Sequence, residues 1–289
     1  MKILKCFRNS AVPIALIAFL SWSACAQGKK PVPGPGKIPF DYPTVKTRAK
    51  AGDWILSPPR LWIDQAFQKG PDQQTFIYYS GTMVSPGPVE SKIKTMVGQE
   101  EVAPNAMIIP LRRGETAKAG DILLTWWQSG SGMKRAIVVK GGTPTEPKVM
   151  YLDLDLDNPS GIGKKIDQLK PDSFHKLKNL WDPGTAVAVK DPSKGYRHGI
   201  ITNISGDKVL LIGWAGTMFT AKKSDCIPLP VAPKVKAGAS VMIPSFGGFA
   251  KARVEKVDPA VGRVFVVYPF GGKDKKVAVP FGDVISSLP

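Results

Sequence analysis

Residues 118–128 read KAGDILLTWWQ, and residues 50–60 read KAGDWILSPPR. Each places a Lys-Ala-Gly-Asp opening ahead of large apolar residues, Ile122, Leu123, Leu124 and Trp126 in one, Trp54, Ile55 and Leu56 in the other. Glycine adopts left-handed backbone without strain and aspartate favours turns, so each stretch predicts a turn that launches a β-strand.

The opening recurs downstream. Gly184 in PGTAVAVK (183–190) and Gly238 in AGASVMIP (237–244) stand where Gly52 and Gly120 stand, at spacings of 68, 64 and 54 residues. A small residue leads a second strand fourteen to sixteen positions later: Ala66 in DQAFQ, Ala136 in KRAIVV, Gly199 in RHGIIT and Ala252 in KARVEKV. Third strands are expected in TFIYYSG from Thr75, KVMYLDLDLD from Lys148, KVLLIGWAG from Lys208 and RVFVVYPFGG from Arg263. Closing segments are expected in AMIIPL (106–111), KIDQL (165–169), DCIPLP (225–230) and GDVISSLP (282–289). Short apolar strands between Gly, Pro and Asp turns form antiparallel hairpins, and a small residue at a strand start lets a bent sheet close on itself. This ordered recurrence predicts four units of one design. Units of roughly 55–65 residues bury a limited core, so neighbours are expected to pack on one another.

The pattern resembles the Tudor-like branch of SH3-like barrels, in which Gly-x-x-Val is followed by Gly-aromatic-x-Ala, Val-x-Val-x-aromatic and Ile-x-Pro-Leu. GTAVAV, GYRHGIITNI, DKVLLIGW and CIPL carry the likeness in the third unit, and GASVMI, GGFAKARVEKV and RVFVVYPFGG in the fourth. The resemblance implies an all-β chain of four tandem small barrels, at 49–113, 114–177, 178–232 and 233–289. It also implies aromatic ligand clefts at barrel mouths, for which Phe249, Tyr268 and Phe270 in the fourth unit and Tyr196 and Trp214 in the third are the candidates. Such rings could hold a cation or stack on a sugar or base. The first two units carry Ile63 and Met133 at the aromatic position, and Pro269 stands where the family often has an acidic residue.

Ahead of the repeats, residues 1–26 have the build of an export signal: Lys2, Lys5 and Arg8, an apolar AVPIALIAFL (11–20), then SWSACAQG. Two processing routes remain open, cleavage before Gln27 after Ala24 and Ala26, or lipidation of Cys25 after Ser23-Ala24, with Trp22 where a lipoprotein signal has an aliphatic residue. Residues 27–48 hold five prolines and three glycines before Thr44 and are expected to form an extended tether. Loss of the signal takes away Cys6 and either removes or lipidates Cys25, which leaves Cys226 alone, rules out an internal disulfide or a cysteine-rich zinc site and reads Cys226 as a small buried hydrophobe.

Forty Lys and Arg against 23 Asp and Glu give a net charge of +17, favouring an anionic partner, although the cations are dispersed. No catalytic constellation stands out. His175 and His198 are the two histidines, with His198 read as a surface residue, and GKDKK (272–276) as a charged hairpin turn. Asp153, Asp155 and Asp157 alternate as in a calcium loop, but Asn158 and Lys164 replace its Gly and Glu. Alternation with Leu152, Leu154 and Leu156 suits a half-buried strand instead, so no metal or cofactor is assigned.

The expectation is an exported, periplasmic or outer-membrane-attached binding or scaffold protein without catalysis, engaging an anionic or glycan envelope component or a protein partner. Nucleic-acid binding is the alternative from a different class, and an envelope hydrolase the third.

Overall fold

The computed structural model describes residues 34–156, 164–193 and 195–289. The export signal, Cys25 and Asp157 lie outside the described residues. The glycine turn is built alike at its four sites. Gly52, Gly120, Gly184 and Gly238 have φ of 81°, 90°, 96° and 84°. Their amides donate to the carbonyls of Met83, Val138, Ile201 and Val254 at 2.7, 2.9, 2.8 and 2.8 Å. Those four residues donate back to the carbonyls of Asp53, Asp121, Thr185 and Ala239, each at 2.9 Å. In the first two turns the Asp carboxylate also accepts the amide of the lysine three residues before it, Lys50 at 2.6 Å and Lys118 at 2.9 Å.

Four antiparallel sheets follow from these turns. The first holds β1 (Trp54–Ser57), β2 (Tyr79–Ser85), β3 (Glu90–Thr95), β4 (Glu100–Pro104) and β5 (Ile109–Pro110). The second holds β6 (Ile122–Trp126), β7 (Met133–Gly142), β8 (Pro147–Tyr151), β9 (Ile166–Gln168) and β10 (His175–Lys176). The third holds β11 (Ala186–Asp191), β12 (Gly195–Ser205), β13 (Lys208–Gly213), β14 (Met218–Lys222) and β15 (Cys226–Pro228). The fourth holds β16 (Ser240–Ser245), β17 (Gly248–Asp258), β18 (Arg263–Phe270) and β19 (Lys273–Pro280). In the first three, strands one to four meander and the fifth returns to pair with the first. In the fourth, an isolated bridge between Met242 and Ile285 takes the fifth strand's place. The second strand of every sheet breaks register just past the residue that answers the glycine, at Met83/Ser85, Val138/Gly142, Ile201/Asn203 and Val254/Lys256. Such bulges sharpen the local twist and curl the sheet.

The first unit departs from expectation. The segment with Ala66 is not a strand but helix α1 (Arg60–Lys69), which buries Ile63 and Ala66, carries an Arg60–Asp64 pair at 2.9 Å and ends at Gly70. TFIYYSG therefore leads into the second strand, not the third, and the small residue two before the answering residue is Gly81, matching Ala136, Gly199 and Ala252. A Cβ on Gly81 would lie 2.7 Å from the Lys94 carbonyl oxygen, which accounts for the glycine. Two other expectations fail. KIDQL holds the fourth strand of its sheet, and His175–Lys176 closes it. The Leu-Asp alternation is not a strand, since β8 ends at Tyr151, and Asp153 turns to Arg135. Of GKDKK, residues 273–276 begin β19 and the turn sits at Gly271-Gly272.

The sheets form a propeller-like ring. Neighbours touch directly: first to second through Met133 N–H on the Tyr78 carbonyl (2.7 Å) and Trp54 against Trp126 (5.0 Å). The second meets the fourth through Arg263 Nη2 on the Leu154 carbonyl (2.8 Å), the fourth meets the third through His198 N–H on the Gly247 carbonyl (3.0 Å), and the third meets the first through Phe76 N–H on the Gly216 carbonyl (2.9 Å). All four contribute to one apolar core, with Leu56, Tyr78, Ile122, Leu124, Leu210, Met218, Val241 and Val266 among its members. The first three also curl over clusters of their own, around Ile55 and Met83, Leu123 and Phe174, and Val187 and Ile201. Cys226 is buried in the third of these, and burial with the adjacent Asp225 pushes its thiol up to about 11.

Over 34–48, where an extended tether was expected, Ile38 and Tyr42 are buried in the shared core and Phe40 packs on Phe76 at 5.8 Å. Proline sets the extended path here, and the three apolar side chains between the prolines give it something to bury.

Candidate functional site

Three tight turns bring large apolar side chains to the surface where the third and fourth sheets meet. Trp214 follows β13 in a turn with Ala215 at φ 54° and Gly216 at φ 74°, held by Thr217 Oγ1 donating to the Trp214 carbonyl (2.9 Å). Arg197 on β12 steadies this turn: its guanidinium lies 3.7 Å from the centre of the Phe219 ring and donates to Thr217 Oγ1 at 3.2 Å. Phe246 occupies the β16–β17 turn at φ 48°, a left-handed backbone that costs a non-glycine residue roughly 1–2 kcal/mol. Phe270 ends β18.

The rings adjoin. Phe246 stacks on Phe270 with centroids 5.5 Å apart and planes 15° from parallel, Trp214 lies 6.3 Å from Phe246, and Tyr268 lies 6.2 Å from Phe270. Trp214 and Phe246 are each 60% exposed and Phe270 44%, whereas Tyr268 is buried and backs the face. Across the β18–β19 hairpin, Lys273 is paired with Phe270 and Lys275 with Tyr268. Directly opposed residues share a side of the sheet, so cations border the rings, and Lys275 Nζ sits 5.1 Å from the Phe270 centroid. Asp274 pairs with Pro269 and so belongs to the other side.

The footing of this face is a buried charge network. Arg135 donates to Asp283 at 2.8 and 2.7 Å and to Asp153 at 2.5 and 3.0 Å. His198 Nε2 lies 3.1 Å from Asp283, and its backbone amide holds the Gly247 carbonyl next to Phe246. His198 is therefore not the surface residue its sequence context suggests: its side chain is 13% exposed. Burial alone would raise the Asp283 carboxyl; Arg135 and His198 outweigh it and hold the group well below the usual carboxylate range. For Arg135, burial works against the charge, and Asp153 and Asp283 overcome it and raise the guanidinium above its ordinary value.

Of the five rings singled out from the sequence, Trp214, Tyr268 and Phe270 come together. Tyr196 and Phe249 are half-buried and pack on the Ala186, Ala188 and Leu229 cluster, with Phe249 edge-on to His198 at 5.8 Å. Phe246 completes the face and was not anticipated. Its signal was a bulky residue inside Pro-Ser-Phe-Gly-Gly, where turn chemistry favours small or polar side chains. Asp153 is spent on Arg135, and among the described residues no cluster of three His, Cys, Asp or Glu could hold a metal ion.

Comparison with protein-family models and with curated proteins finds no match for this chain.

Proposed function

We propose that this chain is an exported binding protein without catalysis, whose four sheets are Tudor-like SH3-like barrel units and whose aromatic face engages an acidic glycan of the envelope. The barrel reading is supported by a four-strand meander, a bulged second strand, a short 3-10 turn before the fifth strand in the first and third sheets, and the fifth strand's return to the first. Attachment to a membrane through lipidated Cys25 belongs to the same proposal.

The observation that carries the ligand class is the exposed Trp214–Phe246–Phe270 face with lysines along its edge. Flat rings suit the apolar face of a sugar, and the lysines suit its carboxylates. A quaternary or methylated ammonium fits worse: Lys275 already lies over Phe270, and the hairpin residues that share the rings' side carry no acid.

Electrophoresis of the mature protein through gels loaded with a polyuronate, with dextran as the uncharged control, tests this. Retardation by the polyuronate is expected, weakened about 10-fold, or about 1.4 kcal/mol, by Phe270→Ala. Equal mobility in both gels would refute the glycan assignment. Retardation by single-stranded DNA alone, dependent on the same rings, would move the protein to the nucleic-acid reading, because bases stack on such platforms too.

A further inference from the structure

A second site lies away from the aromatic face and rests on separate residues. A cleft of ≈ 910 Å³ opens between the first sheet, the segment around His175–Pro183 and the third sheet. Five cations line it, Lys46, Arg48, Lys50, Arg112 and Arg113, against two acids, Asp53 and Asp182. Both acids are engaged from within: Arg113 pairs with Asp53, and the amides of Lys178 and Asn179 donate to Asp182 at 2.9 Å each. Burial would raise the Asp182 carboxyl, but those donors lower it, so it stays charged and occupied.

Lys46, Arg48 and Lys50 are exposed, alternate with the more buried Val45, Thr47 and Ala49, and have no ion-pair partner among the described residues. Alternation of this kind sets side chains about 7 Å apart on one side of an extended chain. Like charges held together without counter-charges disfavour the folded state unless something else uses them. The cleft wall also holds His175, 3% exposed, whose ring lies between two carboxylates, Glu115 Oε2 at 3.3 Å from Nδ1 and Asp182 Oδ2 at 3.8 Å from Nε2.

We infer that this cleft binds a ligand carrying two or more phosphate groups. Its volume is near the top of the range for small-molecule pockets, about 300–1,000 Å³, so it has room for more than one inorganic ion. A phosphomonoester carries about −1.5 to −2 at neutral pH, so two of them match the three unpaired cations Lys46, Arg48 and Lys50, while Arg113 is held by Asp53 and Arg112 lies 3.7 Å from Glu115. Guanidinium groups fork onto phosphate oxygens in pairs. A nucleobase finds little there: Trp181 is the lining aromatic, and Lys223 Nζ already lies 4.6 Å over its ring.

The test is calorimetric titration of the protein with inositol hexakisphosphate and flotation with vesicles of a phosphatidylinositol bisphosphate in phosphatidylcholine. Inositol hexakisphosphate is expected to bind with defined stoichiometry, with at least 10-fold loss of affinity in Lys46→Ala/Arg48→Ala/Lys50→Ala. Lys234→Ala/Lys236→Ala/Lys251→Ala, which removes the same charge from exposed positions elsewhere, leaves affinity within about 2-fold. Vesicle binding competed by the soluble probe assigns the phosphates to a lipid headgroup, and soluble binding alone assigns them to a free ligand; both uphold the site. Equal weakening by the two triple variants, or binding of neither probe, overturns it. Thermal unfolding of both variants checks that each is folded.

Discussion

Phe246 holds the residue-scale tension between stability and function. Its left-handed backbone would suit glycine, yet the side chain is what joins Trp214 to Phe270. Strain of this kind concentrates at functional positions. Phe246→Gly is expected to leave urea stability unchanged or to raise it by up to ~1 kcal/mol while polyuronate retardation falls; a variant that loses both would show that Phe246 serves packing. Gly81 is the opposite case. Gly81→Val sets a Cβ against the Lys94 carbonyl and is expected to cost ~1–3 kcal/mol in urea unfolding. Ala66→Gly tests the alternative equivalence. It should cost about 1 kcal/mol, as a glycine inside a helix does, rather than relieve any sheet contact.

At the scale of elements, the third and fourth sheets were the most legible, because their Gly-to-second-strand distance is short and uninterrupted. From Gly120, Gly184 and Gly238 to the answering residue is 18, 17 and 16 positions, but from Gly52 to Met83 it is 31. The difference is α1 and the 3-10 turn after it, placed between the first two strands. Ile63, Ala66 and Phe67 carry the helical period, but Ala66 happens to fall at the interval the other units use, and the strand reading followed. Short edge strands such as His175–Lys176 have too few residues to show a period of two, so the second sheet's closing strand was hidden as well. The aromatic face was legible as ring types on strands, while Phe246 sits in a turn, where no periodicity applies. If α1 is an integral part of the first sheet's packing, Ile63→Ala costs ~2–4 kcal/mol in urea unfolding. A loss under 0.5 kcal/mol would mark the helix as an appendage.

At the scale of the whole molecule, Arg135 and Asp283 link the second sheet to the fourth, and His198 brings in the third. Removing the guanidinium in Arg135→Met leaves two carboxylates without it and is expected to cost ~3–5 kcal/mol. Asp283 is held below its unfolded value of about 3.9, so its contribution is fully present above that pH and is lost as pH falls toward the folded value. Unfolding free energy should therefore drop from about pH 5 downward, and Asp283→Asn should flatten that slope. Because all four sheets share one core, urea unfolding is expected to be a single transition by fluorescence and by circular dichroism, where independent beads would give separated steps. The aromatic face depends on the same closure, since Trp214 belongs to the third sheet and Phe246 to the fourth. The most direct test is a double-mutant cycle on polyuronate affinity with Trp214→Ala, Phe246→Ala and both together. Joint engagement of one glycan predicts a coupling of at least ~0.5 kcal/mol; strict additivity, or unchanged affinity in all three variants, would contradict it.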